Sequence, residues 1–159
     1  MLLQILQDAF FAALAAIGFA AISRPPRNAY LYCAGIAAMG HSLRFLLMSP
    51  AVGVHIVIAT FIAATVIGLL AVFLSPIAKV PAETCFFPAL LPMIPGIYAY
   101  KAFGGMVLCL LNSSEPQFHH YFYLFASNGL TCLFILTAMI VGATLPVFIF
   151  KRVSFRATR

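Results

Sequence analysis

Apolar residues run along this chain in long blocks, not in the short alternations of an element that faces water on one side. Between charged or turn-rich breaks, five blocks cover residues 2–22, 29–48, 54–74, 84–111 and 121–150. A helix that crosses the hydrocarbon core of a bilayer needs about 20 such residues, so each block is long enough for one span. The intervening stretches are "SRPPRN" (23–28), "SPAVG" (49–53), "SPIAKVPAE" (75–83) and "NSSEPQFHH" (112–120). Connections this short make successive helices antiparallel neighbours. The expected fold is all-α, five transmembrane helices in a compact bundle, forming a single five-span transmembrane domain over residues 1–159. The spans use nearly the whole chain and leave no room for a water-soluble catalytic domain.

The fourth block departs from the pattern. "PALLPMIPGIYAYKAFGG" carries Pro88, Pro92 and Pro95 followed by Gly96. Each proline removes an amide donor and crowds the preceding turn, and the glycine frees the backbone, so the fourth helix is expected to be interrupted near "LPMIPG". Loose backbone groups at membrane depth are tolerated only where protein or a hydrated cavity covers them. A second half-helix starting near Ile97 would also aim its positive end at the gap. A packing kink and a functional break both satisfy the pattern.

Composition agrees with the spans: 64% of residues are hydrophobic and 8% charged, with a mean hydropathy of +1.09, values foreign to a soluble domain of this size. The net charge of +6 matters through its placement. Arg24 and Arg27 lie in the first loop, Lys79 in the third, and Lys151, Arg152, Arg156 and Arg159 in the tail, whereas the N-terminus, second loop and fourth loop hold no Lys or Arg. With five spans these basic regions share one face, which predicts the N-terminus outside and the C-terminus in the cytoplasm. The tail reads as a topology signal near anionic lipid, not as a nucleic-acid site. The first block has no basic region before it, so an uncleaved span is expected in place of a signal peptide. Cys33, Cys85, Cys109 and Cys132 all fall in apolar blocks without paired spacing, as small apolar residues do; no metal or cofactor is expected.

Ionisable groups at membrane depth are costly, which makes them the first candidates for function. "AMGHSLRFLLM" puts His41 and Arg44 three residues apart on one helical face, just after Gly40. Arg offers a planar fork of donors to a carboxylate, and His titrates near neutral pH, which suits proton coupling. The alternative is that Arg44 snorkels to the interface while His41 satisfies a buried carbonyl. Lys101 lies deep in the fourth block, as a contact for a substrate carboxylate or a partner of Glu115 or Asp8. Asp8 is expected near the outer interface in a structural role. In the fifth block "LFASNGLTCLF" sets Asn128 and Thr131 on one face, as interhelical glue or as part of a polar path. His119 and His120 have only Glu115 nearby at ligand spacing, too little for a metal site.

Taken together, "GHSLR", "PMIPGIYAY", "SEP" and "SNGLT" followed by Pro146 resemble, in order and spacing from about Pro25 to Arg152, the small subunit or C-terminal half of the threonine/serine exporter family. The resemblance implies a bacterial inner-membrane exporter of small carboxylated metabolites, threonine and serine or succinate, in which this module works with a larger membrane module. Carried over by position, the family motifs fall on Gly40, His41 and Arg44, on Pro92, Met93, Pro95, Gly96 and Tyr100, and on Asn128. Lys101 lies outside them. The expected substrate-binding set is therefore His41, Arg44, Pro92, Pro95, Gly96, Tyr100 and Asn128, in a chain that transports and is not an enzyme. With three acidic residues, none obviously near His41, and no nucleophile motif, no catalytic set suggests itself. The expected partners are a small organic acid or amino acid, a larger subunit of the same exporter family and the lipid bilayer, with a higher oligomer allowed. The rival is a non-transporting subunit that stabilises or regulates a partner transporter.

Overall fold

A computed structural model describes residues 2–112 and 114–150. It is helical throughout: α1 (Leu2–Ser23), α2 (Ala29–Met48), α3 (Ile56–Ala78), α4 (Ala82–Leu90), a 3-10 turn (Leu91–Met93), α5 (Gly96–Leu111) and α6 (Glu115–Ile149). Among the described residues, α1, α2, α3 and α6 are each long and apolar enough to cross a membrane, and the broken pair α4–α5 adds a fifth where it counts as one span. Helices are the form a chain must take in hydrocarbon, because every backbone donor finds its acceptor within the same segment. The basic tail on which the topology reading partly rests lies outside the described residues.

Two compact units organise the chain, one comprising residues 2–93 and 138–150 and the other residues 94–112 and 114–137. In the first, α1 lays a stripe of small residues, Ala12, Ala16 and Ala20, into the core. On α2 the matching buried positions are Ala29, Cys33, Ala34, Ile36, Ala37 and Gly40. Such stripes let helix backbones approach where no hydrophobic effect drives association. α3 is the best buried of the spans, through Ala59, Ala63, Ala64, Ile67, Gly68, Ala71 and Val72. Phe10, Phe11, Leu31, Phe73 and Ile77 stay exposed, as side chains that meet lipid do. In the second unit the backbones of α5 and α6 meet closely at Gly105: a methyl there would lie 2.7 Å from the Phe125 amide nitrogen and 2.9 Å from the Tyr121 carbonyl.

The helix ends differ from the sequence expectation in two places. The third block runs past Pro76 to Ala78, although a proline inside a helix strips the carbonyl four residues back of its partner. That carbonyl belongs to Val72, and the Ser75 hydroxyl donates to it at 3.0 Å. The helix then ends on Lys79, left-handed at φ 54 and ψ 40, whose amide reaches the Ser75 carbonyl. The "SEPQFHH" stretch, expected as loop, opens α6 instead. Glu115 and Pro116 occupy its first turn, where an acidic side chain suits the helix dipole and a proline forfeits no bond. Ser114 donates to Gln117 Oε1 at 2.8 Å beside them.

The first and third loops meet at one end of the first unit, where Ser23, Pro25 and Pro26 share a recess with Lys79, Val80 and Pro81. Asn28 ties them together: its side-chain amide donates to the Ala78 carbonyl at 2.7 Å, filling one of the acceptors left open at the end of α3. Asn28→Ala is expected to lower the unfolding free energy by about 1 kcal/mol, the typical worth of one such bond, read as a lower midpoint in a detergent thermal melt.

Candidate functional site

The interruption in the fourth span has a definite geometry. Pro95 sits at φ −79 and ψ 59, an inverse γ-turn, and the Gly96 amide closes it by donating to the Ile94 carbonyl at 2.8 Å. Turned that way, Gly96 cannot serve the preceding 3-10 turn, and the Met93 carbonyl takes its bond from a side chain. Arg44 donates to it through Nη1 at 2.9 Å. The residue expected to snorkel or to hold a substrate thus satisfies the backbone acceptor that the prolines set loose.

Arg44 is also bonded along its own helix. Its Nη2 lies 3.1 Å from His41 Nε2, the contact that a three-residue spacing on α2 allows. On its other edge, His41 Nδ1 lies 2.6 Å from Asp8 Oδ2 on α1. This corrects the sequence reading that no acidic residue stands near His41, and that Lys101 is a partner for Asp8. Asp8 reaches His41 because it continues the stripe of Ala12, Ala16 and Ala20 at four-residue spacing, so the face that packs on α2 carries the carboxylate with it. Glu115 meets His119 at 3.7 Å on an exposed surface, and Lys101 is exposed.

Asp8, His41 and Arg44 line a cavity of about 300 Å³. Gln4 and Ser49 add neutral polar groups, and Phe45, Met48 and Pro50 supply apolar wall. The two charged side chains and the ring are neither sealed nor bare: Asp8 and His41 keep 22% and 17% of their side-chain surface, enough to meet a small molecule. Ser49 is buried, and its hydroxyl has no hydrogen-bond partner among the described residues. The volume sits at the lower end of the range for small-molecule sites. The guanidinium of Arg44 suits a ligand carboxylate, whereas the Asp8 carboxylate facing the same space repels one and suits a cationic group such as an ammonium.

Of the expected binding residues, the structure brings His41 and Arg44 together at this cavity and seats Pro92, Pro95 and Gly96 around the break whose carbonyl Arg44 holds. Tyr100 and Asn128 belong to the other unit and are not among the cavity's lining residues. Tyr100 is exposed on α5, and the Asn128 amide donates to the Leu124 carbonyl one turn back in α6 at 2.7 Å. Sequence reasoning passed over Gln4, the pairing of Asp8 with His41, and Ser49. The signal for the first two was present, since Gln4 and Asp8 stand four apart on the same face as the buried alanines.

A bundle of apolar spans, one of them broken beside a polar cavity, defines a multi-pass membrane protein. Residues 8–149 match the family model described as Threonine/Serine exporter, ThrE, and the chain belongs to that family, one of transporters. It is similar to an uncharacterized protein of Haemophilus influenzae (strain ATCC 51907 / DSM 11121 / KW20 / Rd), 39% identical over 157 residues that cover 95% of this chain and 49% of the relative. The chain thus spans about half the length of the curated relative it matches. No solved structure matches it.

Proposed function

We propose that this chain is one module of a secondary transporter that exports small carboxylated metabolites, threonine and serine or succinate, from the cytoplasm of a bacterial cell across its inner membrane. The observation that carries the reading is the cavity in which Arg44, His41 and Asp8 converge beside a broken span. Arg44 and His41 supply the carboxylate contact, and Arg44 links that contact to the backbone at Met93. Broken helices whose loose ends line a site recur in secondary transporters. Tyr100 and Asn128 line the path in this reading.

The match covers 49% of the relative's length, a size that fits one module working with a second, the larger membrane subunit of this reading. An odd number of spans fits that arrangement, because a homologous five-span partner inserts with inverted topology. The shared recess of the first and third loops supports placing Arg24, Arg27 and Lys79 on one side, hence the N-terminus outside and the C-terminus in the cytoplasm.

The test is reconstitution of this chain alone, the partner alone and both together in vesicles loaded with radiolabelled threonine, serine or succinate. Release that requires both modules, and falls when Arg44 is changed, is the expected result. Full release by the partner alone makes this chain a stabilising subunit and overturns the proposal.

A further inference from the structure

Two bonds fix the state of the His41 ring. A guanidinium carries only donors, so the contact of Arg44 Nη2 with His41 Nε2 at 3.1 Å requires an unprotonated Nε2. The ring proton then sits on Nδ1 and is donated to Asp8 Oδ2 at 2.6 Å. The chain of bonds has one direction: Arg44 donates both to the Met93 carbonyl and to His41, and His41 donates to Asp8. On the ring, the lone pair that can take a proton is the one at Nε2 that Arg44 occupies; the Asp8 carboxylate is the other acceptor in the chain.

We propose that the Asp8–His41 pair is a proton-binding site, and that Arg44 is the positioning residue through which its occupancy reaches the broken helix; this rests on the reading that the cavity lies on the transport path. A proton arriving at Nε2 converts the acceptor of Arg44 into a donor. Two donors cannot face each other, and an imidazolium then stands beside a guanidinium with only the Asp8 carboxylate to balance both. The guanidinium is a rigid planar fork, so Nη2 cannot turn from His41 while Nη1 keeps its place on Met93. Protonation therefore frees the Met93 carbonyl. It also leaves the fork of Arg44 and the new Nε2–H of His41 as donors for a carboxylate in the cavity, so that proton and anionic group bind together.

Among the described residues, the elements packed on α2 bring nothing else to His41 that would answer the charge. α1 brings Asp8 and the neutral Gln4, and the 3-10 turn brings only the Met93 carbonyl. α3 carries no ionisable side chain along its length, and His55 at its start accepts from the Val57 amide. On α4, Glu83 lines the recess at the end of the unit where the first and third loops meet, and the buried Cys85 is hydrogen-bonded to Cys33.

The experiment is NMR on the full chain in lipid nanodiscs, with ¹⁵N in the histidine rings and ¹³C in the methionine carbonyls, the Met93 signal being assigned by its loss in Met93→Leu. At about pH 8 His41 is expected as the Nδ1–H tautomer. On acidification to about pH 5, the range over which histidines change charge, the Met93 carbonyl signal is expected to shift with the same midpoint as the His41 ring. In His41→Gln, which keeps an acceptor toward Arg44 but does not titrate, the Met93 signal should stay flat. An Nε2–H tautomer at pH 8, a ring that takes up no proton across the range, or a ring that titrates while Met93 stands still would each overturn the proposal. Because this readout needs no substrate, it is separable from the transport reading, which fails instead if export survives loss of Arg44.

Discussion

Arg44→Ala is expected to cut threonine, serine or succinate release by roughly 10- to 100-fold, the kinetic equivalent of losing a charge-assisted hydrogen bond worth about 1.5–3 kcal/mol. The substitution removes the proposed carboxylate contact and at the same stroke strands the Met93 carbonyl, which has Arg44 as its partner at 2.9 Å. It also leaves the Asp8–His41 pair without the cation that balances its carboxylate. Arg44→Lys separates these effects. A lysine keeps the charge but offers a single ammonium in place of a planar fork, so it can hold Met93 or face His41 but not both. Release intermediate between wild type and Arg44→Ala is therefore expected, with the chain present in the membrane at wild-type amount. Wild-type release in Arg44→Ala would remove the guanidinium from the transport path, and release lost in equal measure in both variants would show that the fork geometry, not the charge, is what matters.

The spans were legible because burial in lipid leaves its mark on every residue: composition along 2–22, 29–48 and 84–111 is enough to locate helices, and three prolines with a glycine are enough to locate the break. What the sequence does not carry is which neighbour satisfies a group that the local rules leave open. Pro76 looks like a helix end until the Ser75 hydroxyl is seen on the Val72 carbonyl. The "SEPQFHH" stretch looks like a loop because its residues are polar, although an acidic residue and a proline in succession also make a sound first turn. Arg44 could be assigned to a membrane depth and a face, but its acceptor lies 49 residues on and is a backbone atom, to which side-chain chemistry gives no clue. The pairing of Asp8 with His41 was the instructive omission. Counting acids along the chain showed none near His41, whereas reading α1 in steps of four would have put Asp8 on the helix-packing face with the alanines.

A different packing contact, between α3 and α6, sets the second large effect. A Cβ at Gly68 on α3 would lie 2.3 Å from the Ala143 carbonyl oxygen of α6, 3.0 Å from its carbon and 3.1 Å from its Cα, all of them backbone. Neither helix can yield by turning a side chain, so Gly68→Ala must force the two backbones apart. Gly142 lies beside this contact and is held as tightly, its added Cβ falling 2.7 Å from the Phe61 carbonyl. Gly40 on α2 is a useful contrast, because there the clash at 2.3 Å is with Cγ1 of Ile67, a side-chain atom, although it belongs to a fully buried β-branched residue that is stiff at χ1, so the strain is eased only in part. Gly18 has nothing within 4 Å and serves as a control in which only the intrinsic preference of alanine for helix acts. Overpacking typically costs about 1–3 kcal/mol, and Gly68→Ala is expected at or above the top of that interval, with Gly40→Ala within it and Gly18→Ala neutral or stabilising. Thermal unfolding of the purified chain in one detergent, followed by circular dichroism, ranks the three. A Gly68→Ala protein as stable as Gly18→Ala would mean that α3 and α6 do not meet backbone to backbone, and the packing of the first unit would have to be redrawn around a looser sixth helix.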